Sequence, residues 1–130
     1  MKNSFVTDTM ALVLRLEKRK LSQKVKAIFE SAENGNAEII IPVMVLAEVG
    51  YLAEKGRIET NLKDVKKYYS KQESILVEPI SEKIIEKAFE IDDIPELHDR
   101  IISGTALKKG LELITNDPII SSSMFVKVIW

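Results

Sequence analysis

The sequence predicts an α/β fold, a three-layer α/β/α sandwich in which helices cover both faces of a mostly parallel sheet of about five strands. Short apolar runs alternate with segments of helical periodicity along the chain, which is the order that right-handed β–α–β units produce. These runs are almost wholly apolar, as a sheet buried on both faces requires. With 130 residues, of which 45% are hydrophobic, the chain can bury a core as one domain over residues 1–130.

Five short runs rich in β-branched residues are the predicted strands. They are Ser4–Thr7, Glu38–Ile41, Ile75–Val77, Leu113–Thr115 and Val126–Ile129. Parallel strands joined through helices all point the same way, so their carboxyl ends meet at one edge of the sheet. Ligands of open parallel sheets bind at that edge.

Helical periodicity fills the intervals between the strands. Ser22 and Ser81 are predicted N-caps, because their hydroxyls can accept a bond from the first free amide groups of a helix. The predicted helices run from Ser22 to Gly35 and over Met44–Lys55, Asn61–Lys71, Glu82–Ile91 and His98–Lys109. In the fourth of these, the spacing of Ile84, Ile85, Ala88 and Phe89 predicts that all four are buried.

The composition excludes several kinds of site. The chain has no cysteine, which rules out disulfides and thiolate metal sites, and its single histidine, His98, rules out sites with two imidazoles. The 19 basic and 20 acidic residues give a net charge of −1, which by itself indicates neither a nucleic acid nor a membrane partner. The longest apolar stretch, Ile39–Ala47, is too short to span a bilayer, and no signal peptide is recognisable, so we expect a cytoplasmic protein.

Four acidic residues are predicted to meet at the carboxyl edge of the sheet. Asp8 directly follows the first strand, and Asp117 follows the fourth. Glu48 and Asp99 lie near the start of helices that begin at the same edge. Taken alone, Asp8 can also be a helix N-cap, Asp99 a first-turn acid favoured by the helix dipole, and Asp117 a turn residue.

Glu48 is harder to explain without a partner. The residues one helical turn away from it are apolar or aromatic, namely Met44, Val45, Tyr51 and Leu52. A carboxylate on an apolar stripe destabilises the fold unless it is protonated, paired or bound to a cation. No basic residue lies within a helical turn, so a cation is the simplest partner.

Clustered carboxylates without Cys or paired His ligands suit a hard divalent ion, Mg²⁺ or Mn²⁺. Such ions bridge carboxylates to phosphate oxygens, so the predicted reaction is metal-assisted attack of water on a phosphodiester. The sequence has no nucleophile-elbow serine and no glycine-rich phosphate loop. His98 is interpreted as a helix-start residue and the loop acids Asp92, Asp93 and Glu96 as solvated, with a supplementary ligand among these three left open.

Several of these segments together resemble the PIN-domain family, and within it the VapC-type toxin ribonucleases of toxin–antitoxin modules. The segments are Thr7-Asp8-Thr9, Leu46-Ala47-Glu48-Val49, Pro95-Glu96-Leu97-His98-Asp99-Arg100-Ile101-Ile102 and Leu113-Ile114-Thr115-Asn116-Asp117. The likeness extends over essentially the whole chain, and the order of the four acids is its most specific part. Met10 departs from it, because the family often has a polar side chain two residues after the first acid.

The resemblance implies a PIN-like α/β/α sandwich and a Mg²⁺- or Mn²⁺-dependent endoribonuclease. It implies three partners, which are an RNA substrate, a cognate antitoxin protein and a second copy of the chain in a homodimer. Carried over by position, the acidic catalytic and metal-binding residues are Asp8, Glu48, Asp99 and Asp117. Thr9 and Thr115 would be hydroxyls that orient these carboxylates.

Two functions of different classes remain open. The first is an RNA-cleaving toxin, and the alternative is a non-catalytic Mg²⁺-binding signalling or interaction module of similar fold. A signalling receiver would have adjacent acids after the first strand and a lysine after the last. Here Asp8 stands alone and Lys127 lies inside the final predicted strand, so the sequence favours the nuclease.

The nuclease hypothesis predicts two further surface features. Basic side chains should surround the acidic cleft without lining it, although a solvated helix face explains the same residues; the candidates are Arg15, Lys18, Arg19, Lys20, Lys24, Lys55 and Arg57. Exposed apolar residues should form a patch for dimerisation or for an antitoxin. The candidates for that patch are Leu12, Leu16, Tyr51, Leu52, Tyr68 and Tyr69.

Overall fold

Five strands form one sheet in the computed structural model of the protein, which describes residues 2–130. The strands are β1 (Asn3–Thr7), β2 (Ala37–Pro42), β3 (Ile75–Glu78), β4 (Glu112–Ile114) and β5 (Val128–Ile129). Their order across the sheet is β3-β2-β1-β4-β5, and each neighbouring pair is parallel. The last strand is shorter than predicted, because the chain pairs with β4 only at Val128 and Ile129.

Helices connect the strands and cover the sheet. They are α1 (Thr9–Leu16), α2 (Gln23–Glu33), α3 (Val43–Glu54), α4 (Leu62–Ser70), α5 (Glu82–Glu90), α6 (Leu97–Lys109) and α7 (Pro118–Ser121). The chain moves from β1 outward to β3 and then returns past β1 to β4. With right-handed crossovers, this reversal places α1–α4 on one face and α5–α6 on the other. The predicted three-layer α/β/α sandwich is confirmed.

The predicted capping residues start their helices. Ser22 Oγ accepts a hydrogen bond from Val25 N at 3.1 Å, and Ser81 Oγ accepts one from Ile84 N at 3.2 Å. Gly110 ends α6 in the left-handed conformation, with φ of 67°, which a residue without Cβ adopts freely. These local signals were sufficient to place the helix ends to within about two residues.

The core lies on both faces of the sheet. The β2 side chains Ile39 and Ile41 have no exposed surface, and neither do Leu113 and Ile114 of β4. Burial on both faces explains why these strands contain consecutive apolar residues.

The helices α5 and α6 pack closely because Gly104 lacks a side chain. A Cβ at this position would lie 2.9 Å from the backbone N of Ala88, closer than real Cβ contacts. On α5, Ile84 and Ala88 are fully covered as predicted, whereas Ile85 is only half-buried. The prediction that Phe89 is buried is wrong, because this side chain is 60% exposed and lies against the guanidinium of Arg100, 5.5 Å from the ring centre.

The predicted apolar surface patch is largely wrong. Leu12 has no exposed surface, and Leu16, Tyr68 and Tyr69 pack partly buried against the core. Tyr51 is the one candidate that is mainly exposed, at 56%. The helices α1, α3 and α4 contact one another on the same face of the sheet, so they cover most of the positions that periodicity alone leaves open.

The strand order creates a crevice between β1 and β4. These neighbouring strands lead to connections that leave in opposite directions across the sheet, which is the point where open α/β sheets bind ligands. Signalling receivers have the order 2-1-3-4-5, so the topology separates this protein from the receiver alternative. Within residues 2–130, no helix is both long enough and apolar enough to cross a membrane.

Candidate functional site

A cleft of about 400 Å³ opens at the carboxyl ends of β1 and β4. All four acids singled out in the sequence line it, each from a different part of the chain: Asp8, Glu48, Asp99 and Asp117. Thr9, Met10, Asn116 and the apolar residues Leu52, Ile102 and Ile120 complete most of the wall. The cleft thus lies at the predicted edge of the sheet.

Asp8 is held between β1 and α1. Its backbone N donates to Ile114 O at 3.1 Å, extending the β1–β4 ladder, and its Oδ1 accepts from Ala11 N at 2.8 Å as the N-cap of α1. The side chain is largely buried. Burial raises the pKa of this carboxyl to about 6, and the charges of Asp117 and Glu48 add to the rise, whereas hydrogen bonds from Thr115 and Ala11 oppose it.

Glu48 projects into the cleft from α3 and is half-buried. Of the four residues of the apolar stripe inferred from the sequence, Val45 is completely buried, Met44 and Leu52 are half-buried, and Tyr51 is exposed, so the stripe is only partly covered. The hydroxyl of Thr9 donates to Glu48 Oε1 at 2.5 Å, which fixes one carboxylate oxygen and leaves its charge without a cationic partner among residues 2–130.

Asp99 lies in the first turn of α6 and is half-buried beside the other acids. Burial raises the pKa of its carboxyl to about 7, and the negative charges of Glu96, Glu48, Asp117 and Asp8 add to the rise. An acid at a helix N-terminus is normally favoured in its ionised form. Burial, together with the like charges around the cleft, outweighs that preference here.

Asp117 follows β4 and starts α7, where its Oδ1 accepts from Ile119 N at 2.9 Å and Ile120 N at 3.1 Å. The hydroxyl oxygen of Thr115 accepts from Asp117 N at 3.1 Å and so shapes the same turn. Asp8 and Asp117 therefore both have a local structural role, because each side chain is the N-cap of the helix that follows it. Capping uses Oδ1 of each carboxylate, and Asp8 has the Thr115 hydroxyl as a further hydrogen-bond partner.

Glu96 is closer to the site than its interpretation as a solvated loop acid suggested. It is the N-cap of α6, accepting from His98 N and Asp99 N at 3.0 Å each, and its Oε1 lies 2.7 Å from Nδ1 of His98. Glutamate is not among the residues preferred as N-caps, so the sequence carried no signal for this role. Asn116, which also lines the cleft, was not singled out either.

The closest set of potential metal ligands contains only one of the four predicted acids. One ligand atom from each of Glu48, Glu96 and His98 lies within 4.8 Å of the others, and no other such trio occurs among residues 2–130. The remaining acids line the same cleft at wider spacing. Mg²⁺ commonly binds through one or two carboxylates and several waters, so this wider spacing suits a hydrated ion.

The chemistry of the cleft fits a divalent cation. No lysine or arginine lines it, and four carboxylates share a space of about 400 Å³. Burial raises the pKa values of Asp8 and Asp99, and the negative charges of the neighbouring acids add to the rise. A hard cation with oxygen ligands would relieve it, and Asp8, Glu48, Asp99 and Asp117 are the residues placed to hold one.

The prediction that basic residues surround the acidic cleft without lining it is wrong for four of the seven candidates. Arg15, Lys18, Arg19 and Lys20 line a separate and larger hollow at the other end of α1. Lys55 lies over the ring of Tyr51, 5.5 Å from its centre. Periodicity placed these residues on helix faces but could not show that several of them belong to one concave surface.

Comparison with known proteins identifies the family. The sequence profile of the PIN domain matches residues 5–122, which is most of the chain. A search of curated proteins returned no significant match.

Solved structures of toxin–antitoxin proteins share the fold. VapBC2 from Rickettsia felis, bound to a promoter DNA fragment, aligns with a TM-score of 0.75 and 19% identity, covering 98% of each chain. DNA-bound VapBC from Salmonella typhimurium aligns with a TM-score of 0.73 and 21% identity over 99% of this chain and 98% of the other. VapC20 from Mycobacterium tuberculosis, a toxin that cleaves the sarcin–ricin loop, aligns with a TM-score of 0.60 and 16% identity over 95% and 98%.

Proposed function

Because the chain belongs to the PIN-domain family, we propose that it is a metal-dependent endoribonuclease and the toxin component of a type II toxin–antitoxin pair that acts in the cytoplasm. The observation that carries the proposal is the cleft at the β1–β4 crevice, which gathers four carboxylates from four distant segments without one basic side chain. The VapC structures that share the fold support the choice of RNA as substrate and of an antitoxin as partner.

In this proposal Asp8, Glu48, Asp99 and Asp117 hold Mg²⁺ or Mn²⁺ and are the catalytic residues. When bound, the ion supplies positive charge at the phosphodiester and lowers the pKa of an attacking water. The chain's own contribution is positional. The Ala11 amide holds Asp8, the Thr9 hydroxyl holds Glu48, and the turn at Thr115 sets the direction of Asp117.

The side chains of the cleft also set the local environment. Thr9 and Thr115 are buried, and Ile102 and Ile120 close the floor of the cleft, so the carboxylates face a space with reduced dielectric screening. Charges act more strongly on a phosphate there than in bulk water. Met10, 39% exposed on the wall, offers substrate an apolar contact where relatives often have a polar one.

Cleavage of a structured RNA by the purified chain tests the enzymatic proposal. We expect fragments in the presence of Mg²⁺ or Mn²⁺ and none in EDTA, and we expect Asp8→Asn to reduce the rate at least about 100-fold, as loss of a charged catalytic group does. The matched control is Asp92→Asn, the same chemical change at an exposed loop position. Equal cleavage by wild type and Asp8→Asn would assign the activity to a contaminant and refute the proposal.

The antitoxin is tested separately, by co-expressing the chain with the protein encoded beside it. We expect the two to purify as a complex in which metal-dependent cleavage is suppressed. A neighbouring protein that neither binds nor inhibits would remove the toxin–antitoxin assignment and leave a nuclease of another role.

A further inference from the structure

A second concave surface lies at the opposite end of α1 from the acidic cleft. It is a hollow of about 1160 Å³ bounded by the end of α1, the loop that follows, and the helices α2 and α4. Seven basic and four acidic side chains line it, so it carries a surplus of three positive charges in a protein of net charge −1. The two cavities therefore have opposite electrostatic character.

Ion pairing within the hollow leaves five lysines available. Arg15 is neutralised by Glu33 through two hydrogen bonds of 2.9 and 2.6 Å, and Arg19 lies 3.4 Å from Glu17. Among residues 2–130, no carboxylate lies within 4 Å of the ammonium groups of the remaining cations. These are the exposed residues Lys18, Lys20, Lys26, Lys67 and Lys71.

The loop that presents two of these lysines is held in place. Glu17 Oε2 accepts three hydrogen bonds, from Glu59 N at 3.1 Å, Thr60 N at 2.9 Å and Thr60 Oγ1 at 2.7 Å. Lys18 adopts the left-handed conformation, with φ of 54°, in the turn that closes α1. A lysine rarely adopts this conformation without surrounding contacts that impose it, so the basic loop has a defined shape.

Helix stabilisation does not account for all of the positive charge. Cations favour helix C-termini, which explains Lys67 in the last turn of α4. Lys26 lies in the first turn of α2, where the helix dipole disfavours a cation, and Lys20 lies outside any helix. The stability of the helices therefore does not explain the surplus positive charge of the hollow.

The geometry points to this hollow as a docking site for the phosphate backbone of single-stranded RNA, several nucleotides away from the bond that is cut. This inference rests on the proposed function for the identity of the ligand. Lysine ammonium groups are flexible point charges that suit phosphates. The apolar residues of the hollow are Leu16, Leu21 and Tyr68, and all three pack partly buried against the core, so the fully exposed side chains that line the hollow are charged or polar.

The distance between the two cavities supports one strand reaching both. Asp8 caps the start of α1 and Arg15 lies seven residues later, in its last turn, so a rise of about 1.5 Å per residue places the two cavities about 10 Å apart along the helix. At a spacing of about 3.4 Å per stacked nucleotide, this corresponds to roughly three nucleotides. The hollow would hold the flanking strand while the acidic cleft repels phosphate until a metal ion is present.

Two triple variants with the same net charge test the site. The first removes hollow lysines as Lys20→Gln, Lys26→Gln and Lys67→Gln; Lys18 is left unchanged because of its backbone conformation. The control removes three exposed lysines of α2 and α4 that lie outside the hollow, as Lys24→Gln, Lys63→Gln and Lys66→Gln. Binding of a fluorescein-labelled 12-nucleotide single-stranded RNA is measured by anisotropy in EDTA across a salt series.

We expect the hollow variant to bind at least tenfold more weakly at 50 mM salt, and the control to stay within about threefold of wild type. Each phosphate contact contributes about 0.7 to the slope of log affinity against log salt for a single strand, so the loss of three lysines should make the slope shallower by about 2. Equal weakening of both variants, or of neither, would overturn the inference. Equal competition by a 12-residue polyglutamate peptide would also overturn it, because it would show a general anion site.

Cleavage assays with Mn²⁺ separate this inference from the proposed function. If the hollow variant loses RNA affinity and the wild type cleaves nothing, the docking site stands and the nuclease proposal fails. If the wild type cleaves and the hollow variant has an unchanged KM, the nuclease stands and the docking site fails.

Discussion

Replacing Asp8 by Asn should stabilise the metal-free protein although it removes a candidate catalytic group. The pKa of Asp8 is raised from 3.8 to about 6 in the folded state, mainly by burial. At 1.36 kcal/mol per pKa unit, keeping this carboxyl ionised at pH 7.5 costs the fold about 3 kcal/mol. Asparagine is uncharged at this pH and is as good an N-cap as aspartate, so the hydrogen bond from Ala11 N is retained.

The net gain is smaller than the full electrostatic cost, because the buried amide of asparagine must also be desolvated. We expect a gain of about 1–2 kcal/mol in the free energy of unfolding in EDTA. For a chain of this length that corresponds to an increase in Tm of about 4–8 °C. Divalent metal should reverse the order, since an ion present at 100 times its Kd adds about 2.7 kcal/mol to the wild type, whereas the variant has lost one ligand.

Thermal unfolding followed by circular dichroism in EDTA and in 10 mM Mg²⁺ or Mn²⁺ measures both effects. Asp92→Asn is the control, and its Tm should match that of the wild type in each buffer. A Tm for Asp8→Asn below that of the wild type in EDTA would refute the claim that ionised Asp8 destabilises the metal-free fold. A wild-type Tm unaffected by either ion would refute the cation site.

Three further predictions concern pH, packing and association. In EDTA, the raised pKa values of Asp8 (about 6) and Asp99 (about 7) give stability that is complete below the unfolded pKa of 3.8 and lost as pH rises through 6–7. Tm should therefore fall between pH 5 and 7.5, and an increase over that range would contradict the sign. Gly104→Ala should destabilise the protein by about 1–3 kcal/mol in urea, because its Cβ would meet the Ala88 backbone. Gly50→Ala, which meets only the flexible Leu62 side chain at 3.4 Å, should be neutral or stabilising by up to about 1 kcal/mol. The homodimer implied by the family resemblance should give twice 14.7 kDa in light scattering at micromolar concentration, and a monomer mass would rule it out.

Much of the fold could be predicted from the sequence because the signals are local. Ser22 and Ser81 can satisfy only the amide groups that follow them, so they mark helix starts wherever the helix packs. Continuous apolar runs such as Ile39–Ile41 report burial on both faces of a sheet, and their alternation with helices implies parallel strands. The parallel arrangement then places Asp8 and Asp117 at one edge without any knowledge of side-chain packing.

Other features depend on which surfaces meet, and periodicity carries no information about that. The apolar spacing of α5 correctly marked Ile84 and Ala88 as buried, yet Ile85 is only half-buried and Phe89 is exposed. Leu12 appeared available for a partner, and the neighbouring helices cover it.

The sequence by itself determined the order of the five strands and of the helices α2 to α6, the capping serines Ser22 and Ser81, and the edge of the sheet on which the acids lie. Each of these follows from backbone preferences and hydrophobic spacing within about a dozen residues. The tertiary structure alone decided the bond from Thr9 to Glu48, the raised pKa values of Asp8 and Asp99, and the gathering of lysines into a hollow away from the acids. Electrostatic energies depend on burial and on distances between groups far apart in the chain, and folding sets both.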